Sequence, residues 1–326
     1  MRVLVTGGTG FLGGHLVEEL GKAGFEAVVF ARSSSNTAQL EKAGVEVRRG
    51  AFGDASSLRR ACEDVDAVIH AAGGGVVRET ADYYRGNTES TKALLASLTT
   101  QRDFVLISSV AAHGPATRHR RGFARPVAWE GDADAPTSHY GRSKRQAELL
   151  CAQASNVRTT VLRPPALYGD GEYRMVPLFR LAQRGIVPTV HPEGTVSLLS
   201  GRDCARAAVR ALQSDHDGGT YFVAEPQPIT RRAMAQAIAS FAGHRRVLAI
   251  PPAVIRAAAD VSERIARWRG QRAAFNGDKA ADMCAPHQSC DPSKAVNTFA
   301  WSAKDRFVDL APAIGRAYQA KGWLPS

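Results

Sequence analysis

No stretch of the 326 residues comes near the ~18 consecutive apolar residues that a membrane span requires, so the chain is expected to be soluble or at most peripheral. The opening residues MRVLVTGG pass from a short apolar run straight into glycines, without the long hydrophobic region or cleavage site of a secretory leader. Cysteine is scarce too. The five, at 62, 151, 204, 284 and 290, are odd in number and widely scattered, which excludes a dense disulfide scaffold and makes a reducing cytoplasm the expected setting. Paired metal-ligand clusters are missing as well: CAPHQSC brings Cys284, His287 and Cys290 together, but no second ligand pair lies nearby, and no metal is expected. Acid is in short supply. Asp and Glu number 31 against 42 Lys and Arg, a net charge of +11 in which arginine greatly outnumbers lysine. Such a surplus favours anionic company (a phosphorylated cofactor, an acidic substrate, a membrane surface or nucleic acid) without choosing among them. Its densest cluster, RHRRGFAR at 118 to 125, reads as a solvated loop, and no nucleic-acid reading motif is present, so no nucleic-acid partner is expected.

What is present is a globular pattern, 44% hydrophobic, with short β-branched runs alternating with longer helical stretches. The runs are RVLVT (2 to 6), AVVFAR (27 to 32), VEVRRG (45 to 50), AVIHAA (67 to 72), FVLISS (104 to 109) and TTVLR (159 to 163). Alternation of this kind predicts an α/β fold, a doubly wound parallel sheet with crossover helices, which a late strand TYFVA (220 to 224) extends. Beyond Pro164 the pattern is broken by proline and glycine. The expected division is a dinucleotide-binding domain over 1–163, to which about 195–225 returns, and a smaller irregular substrate lobe over 164–194 and 226–326.

TGGTGFLGGHL, residues 6 to 16, follows the first strand and opens a helix. Gly8, Gly10 and Gly13 meet one dinucleotide spacing, and Gly7, Gly10 and Gly13 a looser one. Glycines there permit a tight turn and let backbone amides approach a pyrophosphate resting on the positive end of the helix. NAD selection would call for a carboxylate at the end of the second strand, and none stands between Ala27 and Gln39. Arg32, Ser33 and Ser34 offer donors to a 2′-phosphate instead, so NADP is favoured over NAD.

HYGRSK, 139 to 144, puts Tyr140 and Lys144 one turn apart on one helical face. A free phenol titrates near ~10, and a nearby ammonium would stabilise the phenolate. With TGGTGFLG, HAAG (70 to 73), ISSVAAHG (107 to 114), YGRSK (140 to 144) and RPPALYG (163 to 169) in this order, the chain resembles the extended short-chain dehydrogenase/reductase family over nearly its whole length. The resemblance implies a Rossmann sheet and an enzyme in which Ser109, rather than its second choice Ser108, bonds the reacting oxygen. In that scheme Tyr140 exchanges the proton and Lys144 also holds the nicotinamide ribose. Cofactor contacts expected on this basis are Gly7, Gly10, Phe11, Leu12, Gly13, Arg32, Ala71, Ala72, Tyr140, Lys144, Pro164 and Pro165. His113 and Tyr168 are expected on the substrate wall, and Asn87 in either a structural or a catalytic role. Ala51 departs from the family, which carries an acid there, while Asp54 is assigned to the next turn.

For the substrate, HPEGTVSLLSGRD (191 to 203) has Val196, Leu198 and Leu199 where nucleotide-sugar enzymes carry polar groups. It resembles instead the 3β-hydroxysteroid dehydrogenase and dihydroflavonol reductase branch, which implies an apolar ring alcohol or ketone, with oxidation of a 4-carboxylated substrate leading on to decarboxylation and the loop at 118 to 125 holding the acid. The alternatives are a nucleotide-sugar epimerase or dehydratase and a non-catalytic NADP-binding sensor or assembly protein. In residues 253 to 270, Val254, Ala258, Val261, Ile265 and Trp268 form an apolar stripe with arginines off it. The plainer expectation is a helix packed on the lobe; the other is peripheral membrane contact. A homodimer is the remaining expectation about partners.

Overall fold

The fold is a computed structural model that describes residues 1–73, 79–244, 246–269 and 275–325. Seven strands form the central sheet: β1 (Arg2–Thr6), β2 (Glu26–Ala31), β3 (Glu46–Arg49), β4 (Ala67–His70), β5 (Asp103–Ile107), β6 (Arg158–Arg163) and β7 (Gly219–Phe222). Every pairing is parallel, and the order across the sheet is β7-β6-β5-β4-β1-β2-β3. The order reverses at β1, so a crevice opens beyond the carboxyl ends of β1 and β4. The continuous apolar runs have a physical cause. Helices cover both faces, so Val3, Leu4 and Val5 are all fully buried, as are Val68 and Ile69. Each such side chain contributes about 1.5–3 kcal/mol through burial.

The helix Phe11–Lys22 lies against the helix Gly201–Gln213, whose Ala205, Ala207, Ala208 and Ala211 are small enough for close approach. Asp203 joins this helix to the late chain by accepting from the amides of Lys304 (2.8 Å) and Asp305 (2.9 Å). Beyond Pro164 the strands are short and pair over long sequence distances. Ala166–Tyr168 runs parallel to Leu198–Ser200, and Thr195–Val196 lies between Ile229–Thr230 and His287–Gln288. Val196, Leu198 and Leu199 are buried, in packing that belongs to the core. A second apolar core beneath these elements gathers Phe179, Ile238, Phe307 and Tyr318.

Pro252–Trp268 is helical over 17 residues. Its stripe does not pack on the lobe. Only Ala259 and Ala266 of this helix are buried, while Val254, Val261, Ile265 and Trp268 face solvent. Amphipathicity in the sequence identified an apolar face, but not whether anything covers it. Gly270, at the end of that segment, lies outside the described residues. Among the described residues no helix is long and apolar enough to cross a membrane, and no group of three or more His, Cys, Asp or Glu side chains converges as a metal site.

Candidate active site

The glycine loop is held by contacts that leave no room for side chains. Gly7 has φ of 76°, and a Cβ on it would lie 2.7 Å from the Ala72 nitrogen. A Cβ on Gly13 would lie 2.2 Å from the Gly7 carbonyl oxygen. The loop is therefore pressed onto the end of β4, where the Ala71 and Ala72 amides donate to the carbonyl and hydroxyl oxygens of Thr6, each at 3.2 Å. Gly10 caps the first helix with no side chain bonded to its leading amides, the condition an anion at a helix N-terminus requires. The Phe11 ring turns away into a niche formed by Gly169, Gly171 and Gly201, and Leu12 packs on the core.

At the adenosine end Arg32, Ser33 and Ser34 are all exposed at the tip of β2. Arg49, from the end of β3, donates to the Ser33 carbonyl at 3.2 Å and pairs with Glu41 at 3.1 Å. Asp54 caps the helix Ala55–Ala61 through the Ser56 amide (3.0 Å) and belongs to that turn. Phe52 lies between Phe30 and His70, with ring centres at 5.5 and 5.6 Å. His70 is buried, which pulls it down to about 3, so it is neutral. Since the Thr6 hydroxyl oxygen accepts from Ala72, its proton is free for His70 Nδ1 at 2.6 Å, leaving Nε2 to donate to Ser90 at 3.3 Å.

The two adjacent serines are separated by their neighbours. Ser108 donates to Glu148 at 2.5 Å, and Glu148 is gripped by both arms of Arg163 at 2.9 and 2.6 Å in a buried network that continues to Asp134. Ser109 has its oxygen on the Ala111 amide (3.2 Å) and faces the Tyr140 phenol closely enough to act on its proton affinity. That meeting depends on Gly141: a Cβ there would lie 2.2 Å from the Ala111 carbonyl oxygen, so only glycine lets the helix His139–Gln153 press against the Ser109 loop.

Burial raises the Tyr140 phenol above its ordinary value; the neighbouring Ser109 hydroxyl and the Arg174 guanidinium act the other way, and Asp282 adds to the rise. Lys144 is buried one turn along and donates to the Ile107 carbonyl at 2.8 Å. Burial pulls it down to about 8, against the favourable field of Glu148. The ammonium is thus engaged with the end of β5 and not with the phenol, where the sequence alone placed it. A Cβ on Gly73 would lie 2.5 Å from Asn87 Oδ1 and 3.1 Å from Lys144 Nζ, so both groups close on the backbone of Gly73. Asn87 donates to Ser143 at 2.9 Å, while its buried Oδ1 has no partner among the described residues. An orphaned acceptor beside a cationic group would fit the hydroxyl-rich ribose of a dinucleotide, were its pyrophosphate to rest on the glycine loop.

Pro164 and Pro165 are buried at the end of β6, and the Pro164 carbonyl accepts from the Val110 amide at 3.0 Å, beside Ser109. Two expected wall residues lie elsewhere. Tyr168 is fully buried, edge-on to Phe307 in the lobe core, because its strand is covered there. His113 is 4% exposed and packs edge-on against Phe222, under the loops rather than on an open wall. The arginine-rich loop is partly neutralised, Arg118 by Asp132 (3.6 Å) and Arg120 by Asp291 (3.3 Å). Sequence reasoning missed Arg174, whose guanidinium is held by Glu172 at 2.8 Å and whose charge acts on Tyr140. It also missed Asp278, which caps the tyrosine helix by accepting from the His139 amide at 2.5 Å. No local signal marks a partner 139 positions away. The glycine in YGRSK was the available sign of the Ser109 contact.

Residues 3–224 match the family described as NAD dependent epimerase/dehydratase. The chain belongs to that family. It is an enzyme family of the extended short-chain dehydrogenase/reductase type, whose members are reductases, dehydrogenases and epimerases. A ceramide reductase of Caulobacter vibrioides is 26% identical, covering 99% of this chain and 96% of that protein. Sterol demethylase protein B of Methylococcus capsulatus is 26% identical, covering 82% and 83%. Among solved structures, dTDP-glucose 4,6-dehydratase from Bacillus anthracis in complex with NAD superposes with a TM-score of 0.76 at 18% identity, over 99% of this chain and 98% of that one. The last likeness establishes the fold of this family member and nothing finer.

Proposed function

We propose that this family member is an NADP-dependent oxidoreductase interconverting a secondary alcohol and a ketone on a hydrophobic ring substrate of sterol-like character, working in peripheral contact with a membrane. The observation that carries the reading is the convergence of Ser109 and Tyr140, brought together where Gly141 presses on the Ser109 loop, with buried Lys144 one helical turn away and the glycine loop across the crevice. A bound nicotinamide supplies or accepts the hydride. Ser109 holds the substrate oxygen, Tyr140 exchanges its proton, and Lys144 and Asn87 orient the ribose. Because burial keeps the phenol protonated at neutral pH, Tyr140 in the free enzyme is poised as an acid, the form ketone reduction uses. The substrate lobe in this reading is 164–194 with 226–326. Relatives named for ceramide and for sterol demethylation support an apolar substrate.

Two measurements test this reading. Exposed Arg32, in a stretch with no carboxylate from Ala27 to Gln39, supports NADP. Arg32→Ala is expected to weaken NADPH binding by about tenfold or more while sparing NADH, since a charge-assisted phosphate contact is worth roughly 1.5–3 kcal/mol. Equal losses for the two cofactors in fluorescence titration would count against it.

The second concerns pH. Lys144 is charged below about 8 and neutral above it. The value of kcat/KM, which reports the free enzyme, is expected to fall as pH rises through that value, and Lys144→Arg to remove the alkaline limb. A wild-type profile flat to about pH 10, near the ordinary lysine value, would contradict the role. The sugar epimerase or dehydratase reading retains support from the shared fold with dTDP-glucose 4,6-dehydratase. Tightly retained nicotinamide in the purified protein would favour it.

A further inference from the structure

The helix Pro252–Trp268 presents large apolar side chains that the other described residues leave bare. Val254 is 53% exposed, Val261 52%, Ile265 46% and Trp268 85%. Steps of seven, four and three at about 100° per residue put all four on one stripe. The helix is anchored from another side, by buried Ala259 and Ala266 and by Glu263, which accepts from the Gly277 amide at 2.8 Å. Arg256, Arg264, Arg267 and Arg269 are exposed on the same element, against an exposed Asp260 and the engaged Glu263.

We infer that this helix is a docking surface for an anionic lipid bilayer. An apolar stripe bordered by arginines sinks into the boundary of headgroups and acyl chains while the guanidiniums reach lipid phosphates. Trp268, at the helix end, suits that boundary, where aromatic rings with one polar edge collect. A second copy of the chain is the poorer occupant. Pairing this stripe with itself would bring the flanking Arg264 and Arg269 of two molecules together, each carrying the +11 of its own chain. The contact is peripheral, since no described helix crosses a membrane.

The docked helix is also linked to the chemistry. Through Glu263 it meets the helix Gly277–Cys284, whose Asp278 caps the helix of Tyr140. Docking would therefore hold the lobe and the crevice at the surface from which an apolar substrate comes. The docking stands on the exposed stripe alone; the handover of substrate rests on the function proposed above.

Vesicle flotation of the full chain tests it, with phosphatidylcholine vesicles and with vesicles containing phosphatidylglycerol. The wild type is expected to float with the anionic vesicles and to be released by high salt. The double variant Arg264→Glu, Arg269→Glu should bind them at least about 25-fold less, at about fivefold per cation lost near the surface. Ile265→Ser with Trp268→Ser should lose flotation while keeping the wild-type melting temperature, the changed side chains being exposed. No flotation of the wild type on anionic vesicles overturns the inference. So does a dimer in sedimentation equilibrium that Ile265→Ser with Trp268→Ser dissolves, which would assign the stripe to a second copy. Flotation without turnover of any ketone would leave the docking standing and sink the proposed activity.

Discussion

Replacing Tyr140 with Phe is expected to lower kcat by about a hundredfold to ten-thousandfold, the ordinary range for loss of a positioned acid or base. That corresponds to roughly 3–5 kcal/mol of transition-state stabilisation. Dinucleotide affinity should hold, because the change removes one hydroxyl at the crevice and touches neither the glycine loop nor the Lys144–Ile107 bond. The ring keeps its place against Tyr83, with centres 5.8 Å apart, so folding is also spared. Single-turnover rates with NADPH and a ketone, beside a cofactor titration, make the measurement. Wild-type turnover in the variant would remove Tyr140 from the mechanism. Intact cofactor binding with no turnover in either protein, against any ketone or alcohol, would point to the sensor reading instead.

A comparably large effect is expected on stability from Glu148→Ala. Glu148 is 2% exposed and receives Ser108 at 2.5 Å and both arms of Arg163 at 2.9 and 2.6 Å. Its removal leaves Arg163 buried with only Asp134 (2.8 Å) as counter-charge and frees the Ser108 hydroxyl. Breaking such a buried pair costs about 3–5 kcal/mol, because the uncompensated charge has no water to return to. In a chain of this size the melting temperature should fall on the order of 5–10 °C. Glu148→Gln keeps the acceptor for Ser108 but not the charge. It should therefore be milder in melting and should move the alkaline limb below about 8, since Glu148 supports the Lys144 ammonium. An unchanged melting temperature for the alanine variant would mean that the network is not an energetic support of the Ser108–Ser109 turn.

The central sheet was legible because parallel strands buried on both faces must be written as nearly unbroken apolar runs, as in VLV at 3 to 5 and FVLI at 104 to 107. The glycine loop was legible for a similar reason: Gly7 and Gly13 sit where any side chain would strike backbone, and that constraint leaves a fixed local spacing. The lobe was not legible. Its strands are two or three residues long, and Thr195–Val196 finds its partners more than thirty and ninety positions away. Tyr168 and His113 illustrate the consequence, for their place in the motif suggested a wall and the folded chain buries both.

By itself the sequence determined the fold class, the family and the order of the chemical groups, because each is carried by local spacing: the alternation of strand and helix, the glycines after β1, and Tyr140 with Lys144 on one helical face. Only the tertiary structure decided how those groups meet. It turned Ser108 towards Glu148 and Ser109 towards Tyr140, aimed Lys144 at the Ile107 carbonyl, brought Arg174 and Asp278 to the tyrosine helix, and left the stripe from Val254 to Trp268 uncovered. The physical reason is range. Periodicity records which face of an element is apolar or polar, whereas the partner of that face is chosen by packing between segments tens to hundreds of residues apart.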